Sequence, residues 1–71
     1  MEQTFVELVK LAGGLDAVQR QAVEEGLSGE ENALFQMLFK ENISQSDREK
    51  LKQASKSLLA SLRDLLQRMP A

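Results

Sequence analysis

Hydrophobic side chains recur at steps of three and four along the N-terminal third of the chain, which is the spacing of one face of a helix. This first stripe consists of Phe5, Leu8, Val9, Ala12, Leu15, Val18, Ala22 and Val23. Thr4 and Glu7 lie near its start at the spacing of a capping box, in which a hydroxyl caps the helix. Gly26 is a typical helix stop. The pattern therefore predicts a first helix over residues 4–26.

Two adjacent glycines, Gly13 and Gly14, interrupt this first predicted helix. Two glycines in the middle of a helix cost about 2 kcal/mol relative to alanine. The apolar stripe nevertheless keeps its phase across them, which favours one helix that is kinked or frayed at the glycines. The alternative is a break at this point, with Asp16 near the start of a second helix.

Two further helices are predicted in the rest of the chain. Ser28 and Glu31 form a second capping box, which opens a helix over residues 28–40. The last helix is predicted over residues 44–68, with Ser44 at its start. Its apolar stripe consists of Leu51, Ala54, Leu58, Leu59, Leu62, Leu65, Leu66 and Met69.

The predicted helices define the fold class. Strand signals are missing from the sequence, since it contains no alternating Val, Ile and Thr run and no Asn-Gly or Asp-Gly turn. The connections between the helices are short, as is typical of helical bundles. We therefore predict an all-α fold, a small antiparallel three-helix bundle that forms a single helical domain over residues 1–71.

The composition narrows the chemistry that this domain can perform. The chain has 71 residues, 42% of them hydrophobic, with no Cys and no His. Without Cys there is no disulfide and no thiolate zinc site, and without His the commonest general base and metal ligand are missing. The carboxylate pairs Glu24–Glu25 and Glu30–Glu31 are adjacent in predicted helices, so their side chains point in different directions. We expect no catalytic residue, no metal and no cofactor.

The sequence also bears on compartment. Its longest apolar runs are triplets such as Leu58–Ala60, far short of the roughly 20 residues that a membrane span needs. The N-terminus carries Glu2 and Glu7 where a secretory leader has basic residues. We therefore expect no membrane partner, and a cytoplasmic protein.

The net charge of −2 conceals an asymmetry between the two parts of the chain. Residues 1–43 carry eight acidic and three basic side chains, whereas residues 44–71 carry three acidic and six basic ones. A basic stripe runs along one side of the last predicted helix and consists of Arg48, Lys52, Lys56 and Arg63. It is a candidate contact for nucleic-acid phosphates. A solvated helix face is the favoured interpretation, because acidic neighbours flank the stripe and the chain has few aromatic residues for base stacking.

The short second predicted helix carries a wide apolar arc, formed by Leu34, Phe35, Met37, Leu38 and Phe39. A helix that is apolar over most of its circumference is either buried from two sides or offers one side to a partner. Residues at this spacing belong to a core more often than to an interface, and the sequence leaves both interpretations open. We take these five residues as candidate partner-binding residues.

Three stretches of the chain, residues 5–12, 24–38 and 43–59, match the helices of a known protein region in order and spacing. They read FVELVKLA, EEGLSGEENALFQML and ISQSDREKLKQASKSLL. They resemble the patterns FIELxKLAKE, EELGLSEEExALYDLL and LSKEERERLKQASRxLL of the C-terminal helical region of type I restriction enzyme R subunits. The resemblance covers nearly the whole chain, roughly residues 4–66.

The resemblance implies a protein-interaction module rather than an enzyme. R subunits carry their nuclease and ATP-driven motor domains elsewhere, and no catalytic residue of the family maps onto this sequence. The implied role is to dock the R subunit onto the methyltransferase core, formed by methylation and specificity subunits, in a DNA restriction-modification complex. Two alternatives remain. The first is a helical module that contacts nucleic acid through the basic stripe. The second is a self-associating helical bundle, because a core of this size is marginally stable by itself.

Overall fold

Four α-helices make up the part of the chain that the structure, a computed structural model, describes, namely residues 2–69. They are α1 (Glu2–Gly13), α2 (Ala17–Gly26), α3 (Gly29–Met37) and α4 (Gln45–Arg68). No strand occurs within the same residues. The predicted all-α class is therefore confirmed, whereas the predicted number of three helices is wrong. The predicted domain also includes Met1, Pro70 and Ala71, which lie outside the described residues.

The predicted helix over residues 4–26 is two helices, and the alternative break with Asp16 at the second start is confirmed. Asp16 is the N-cap of α2 in an extended conformation, with φ −81° and ψ 177°. Its carboxylate accepts a hydrogen bond from the Gln19 backbone N–H at 2.8 Å, and the Gln19 side chain accepts one from the Asp16 backbone N–H at 3.0 Å. This reciprocal capping box stabilises a new helix start, while Gly13 and Gly14 disfavour continuation of α1.

The remaining predictions of helix starts, at Thr4, Ser28 and Ser44, are correct only in part. The predicted capping box at Thr4 is wrong, because α1 begins at Glu2 and Thr4 lies inside the helix. Ser28 is the N-cap of α3, but its side chain makes no capping hydrogen bond. Ser44 caps α4 as predicted, and its hydroxyl accepts a hydrogen bond from the Asp47 backbone N–H at 3.1 Å.

The α3 helix ends at Met37 rather than at the predicted residue 40. Beyond it, the backbone N–H groups of Leu38, Phe39 and Lys40 bond to carbonyls three residues earlier, at 3.1 to 3.2 Å. Such bonds tighten the last turn into 3₁₀ geometry. The apolar residues at the end of the predicted helix therefore lie in a tight turn that leads away from α3.

The core forms where α1, α2 and α3 each pack against the long helix α4. A helix of 24 residues is about 36 Å long, and the molecule measures 37 × 20 × 20 Å, so α4 spans its long dimension. The buried hydrophobic side chains are Leu8, Ala12, Val23, Leu27, Phe35, Leu51, Leu58, Leu59 and Leu62. Aliphatic side chains thus fill the core around a single phenylalanine.

One close helix contact depends on a glycine. Gly26 ends α2 against α4, where a Cβ at its position would lie 2.5 Å from a methyl carbon of Leu65. Any side chain at this position would displace that methyl group. Gly26 therefore both ends the helix, as predicted, and permits α2 to approach α4 closely.

Candidate functional site

The five candidate partner-binding residues do not lie together on the surface. Phe35 has no exposed surface and belongs to the core. A partner cannot reach it in the folded chain, so its assignment as a contact residue is corrected here. Leu34, Met37, Leu38 and Phe39 are half-buried and pack against the same core. We call these four residues the α3 face.

The exposed end of the α3 face is tied to α2. The Phe39 ring meets Phe35 edge to face, with centroids 5.1 Å apart at 79°. The Arg20 guanidinium lies over the same ring, 3.8 Å from its centroid. A cation over an aromatic face is attracted by the ring quadrupole. In addition, the Gln36 amide donates a hydrogen bond to the Glu24 carboxylate of α2. These contacts hold the end of α3 in one orientation.

Three of the four residues of the basic stripe line a groove between α1 and α4. The groove has a volume of about 860 Å³, and its lining consists of Thr4, Glu7, Lys52, Gln53, Ser55, Lys56, Leu59, Ala60 and Arg63. We call it the α1–α4 groove. Arg48, the fourth residue of the stripe, is exposed outside this lining. The tertiary structure thus adds α1 as a second wall to what the sequence presents as one helix face.

The charges in the α1–α4 groove are mixed. The Arg63 guanidinium lies 3.5 Å from the Glu7 carboxylate, with 61% and 45% of the two side chains exposed. Exposed pairs of this kind contribute about 0–1 kcal/mol. Ser55 is a buried residue of the groove lining, and its hydroxyl donates to the Lys52 backbone carbonyl at 2.8 Å. The sequence did not indicate that Glu7 lines this groove, because no local pattern links it to Arg63, 56 positions further along the chain.

One acidic residue of α3 and one of α2 make contacts between helices. Glu31 accepts a hydrogen bond from the Ser61 hydroxyl of α4 at 2.9 Å, while Glu24 accepts one from Gln36. Within the described residues, no three His, Cys, Asp or Glu side chains come together as possible metal ligands. No helix among residues 2–69 is long and apolar enough to cross a bilayer.

Comparison with protein-family models, with curated proteins and with solved structures gives no match to this chain.

Proposed function

We propose that the chain is a non-catalytic helical interaction module that docks onto a protein partner. Its resemblance to the C-terminal region of type I restriction enzyme R subunits identifies that partner as the methyltransferase core of a restriction-modification complex. The three stretches that carry the resemblance include most of α1, all of α3 and the first part of α4. A complex of this kind acts on cellular DNA, so the cytoplasm is the compartment that we propose.

The α3 face is the contact surface that we propose, and its partial exposure is the observation that carries the proposal. Leu34, Met37, Leu38 and Phe39 pack against the core yet remain partly accessible. Leu34 and Met37 lie in the last turn of the nine-residue helix α3, and Leu38 and Phe39 lie in the tight turn that follows it. Accessible apolar surface is typical of sites that another protein covers, and these four residues are close neighbours in the sequence. The contacts of Phe39 with Arg20 and Phe35 keep this surface ordered before binding.

The arrangement that we propose for this module is antiparallel between α3 and α4. Glu31, early in α3, contacts Ser61, late in α4. Leu34 lines a small cavity with Ala54 and Leu58, which lie earlier in α4. Progress along α3 thus corresponds to movement back along α4.

A pull-down of the chain with the methyltransferase core tests the proposed contact surface. Met37→Gln and Leu38→Gln each place an amide in the α3 face, and we expect each to reduce capture. The matched control is Val6→Gln, which makes the same kind of change at a side chain that is 46% exposed on α1. Thermal unfolding of each variant distinguishes a loss of capture that is caused by unfolding from one that is caused by loss of the contact. Full capture by folded Met37→Gln and Leu38→Gln variants would contradict the assignment.

A second candidate function is contact with nucleic acid, and the α1–α4 groove favours it. Lys52, Lys56 and Arg63 line this one groove, so their charges can act on the same phosphate backbone. Binding through phosphates weakens steeply as salt rises. Titration of a short DNA duplex at low salt tests this candidate, and a chain that does not bind at about 50 mM salt does not contact DNA by this route.

A further inference from the structure

Two of the three cations that line the α1–α4 groove are Lys52 and Lys56. Among the side chains that the structure describes, neither Lys52 nor Lys56 forms an ion pair, whereas Arg63 is paired with Glu7. Leu59, which is 5% exposed, and Ala60 supply the apolar part of the groove lining. The groove therefore combines a small apolar floor with unpaired positive charge along one side.

The outer side of α2 has the complementary character. Val18 is 70% exposed, more than any other large hydrophobic side chain of the described residues. Gln21 and Glu25 follow it at steps of three and four, so the three side chains share one stripe. The Gln21 amide donates to the Glu25 carboxylate at 3.3 Å, which orients this acid without neutralising its charge. We call Val18, Gln21 and Glu25 the α2 outer face.

The spacings of the two surfaces match. Val18 and Glu25 are seven residues apart, as are Leu59 and Lys52, and seven residues of helix span about 10.5 Å. An α2 helix laid along the groove with its Val18 on Leu59 therefore brings Glu25 to Lys52. Lys56 lies one helical turn further along α4, within reach of the same carboxylate. We propose that α2 of one copy of this chain docks in the α1–α4 groove of a second copy.

The groove suits this occupant better than it suits nucleic acid. Glu7 lies on the groove wall and would repel a phosphate backbone. None of the lining side chains is aromatic, so the groove has no platform on which a base can stack. The apolar floor matches the exposed Val18 side chain and has no counterpart on a phosphate backbone. The proposed self-association does not depend on a methyltransferase partner.

Sedimentation equilibrium of the isolated chain over a concentration series tests the proposal. We expect the parent chain to associate reversibly and less strongly as salt rises. The variant Glu25→Lys, and separately the double variant Lys52→Glu/Lys56→Glu, places like charges opposite one another. We expect each to raise the dissociation constant at least about tenfold. An equimolar mixture of the two should associate again, since one variant keeps the parent's α2 outer face and the other keeps its groove.

Two control variants separate this effect from the change in net charge. Lys50→Glu and Glu41→Lys alter exposed residues outside both surfaces, and we expect both to associate like the parent. Val18→Ser should weaken association without altering the charge.

Three results would overturn the proposal. The first is a parent chain that stays monomeric at every concentration, and the second is charge-reversed variants that associate as the parent does. The third is a mixture that associates no better than its components. If the parent is monomeric and binds a DNA duplex that the Lys52→Glu/Lys56→Glu variant does not bind, the occupant of the groove is nucleic acid instead.

Discussion

Truncation of Phe35 to alanine is the most informative single test of this fold. Phe35 is the largest side chain without exposed surface, and it belongs to the same buried cluster as Leu8 of α1, Val23 of α2 and the buried leucines of α4. The sequence leaves open whether this residue faces the core or a partner. A core position predicts a large loss of stability in the isolated chain, whereas an exposed contact position predicts almost none.

The magnitude follows from the burial. Replacing a fully buried phenylalanine with alanine lowers the free energy of unfolding by about 3–5 kcal/mol, because the transfer free energy is lost and a cavity remains. A chain of 71 residues, at about 0.05–0.15 kcal/mol per residue, has a total stability of about 4–11 kcal/mol. Phe35→Ala therefore removes a large share of the stability. At about 4–8 °C per kcal/mol for a domain of this size, the midpoint should fall by at least about 12 °C.

Thermal and urea unfolding, followed by circular dichroism at the helical band, measures this loss. Phe35→Leu keeps most of the volume and should lose less than about 1.5 kcal/mol, so it provides a variant that remains folded. Phe39→Ala is the matched control, because the same truncation at a half-buried ring leaves a smaller cavity. A Phe35→Ala variant that loses less stability than Phe39→Ala would refute the assignment of Phe35 to the core.

Three further substitutions test local features, with urea unfolding as the common measurement. Asp16→Ala removes the reciprocal capping box of α2 and should lower the unfolding free energy by about 1 kcal/mol; an unchanged value would show that the cap does not stabilise the break. Gly13→Ala should raise it by about 0.5–1 kcal/mol, because Gly13 is helical, lacks a positive φ, and has room for a Cβ. Ser61→Ala breaks the hydrogen bond to Glu31 and should lower it by about 0.5–1.5 kcal/mol, whereas Ser57→Ala, at an exposed position of the same helix, should not.

The longest helix illustrates what local pattern predicts well. The hydroxyl of Ser44 and the apolar stripe that follows it identify α4 with an error of one residue. Both signals depend on atoms within a few residues of each other, namely a cap that satisfies free N–H groups and a face that repeats with the helical period. Such signals can be read from the sequence without knowledge of the fold.

The break between α1 and α2 illustrates where the same reasoning fails. The apolar stripe keeps its phase from Leu11 through Leu15, and phase alone favours one continuous helix. Both residues do contact the core, but Val18, the next residue of the stripe, is 70% exposed, so the phase does not report burial correctly throughout α2. The continuity of the backbone is decided instead by Asp16 and Gln19, whose reciprocal hydrogen bonds begin a new helix. The Asp-x-x-Gln spacing was a local signal for this cap.

The candidate surfaces depended more strongly on tertiary structure. The apolar arc of α3 contains both Phe35, which is fully buried, and Met37, which is half-buried. Hydrophobicity does not distinguish these positions, because the side of a helix that faces α4 depends on how the two helices cross. The groove between α1 and α4 likewise forms only in the folded chain, because it brings together Glu7 and Arg63, which are far apart in the sequence.

The sequence by itself determined that the chain is helical, because periodicity and capping are interactions between near neighbours. It also determined which residues carry charge. Only the tertiary structure decided that Phe35 belongs to the core, that α1 forms a wall beside Lys52 and Lys56, and that Val18 is left exposed on α2. Burial and grooves arise from the packing of helices distant in sequence, and their relative orientation is set by the combined fit of many side chains.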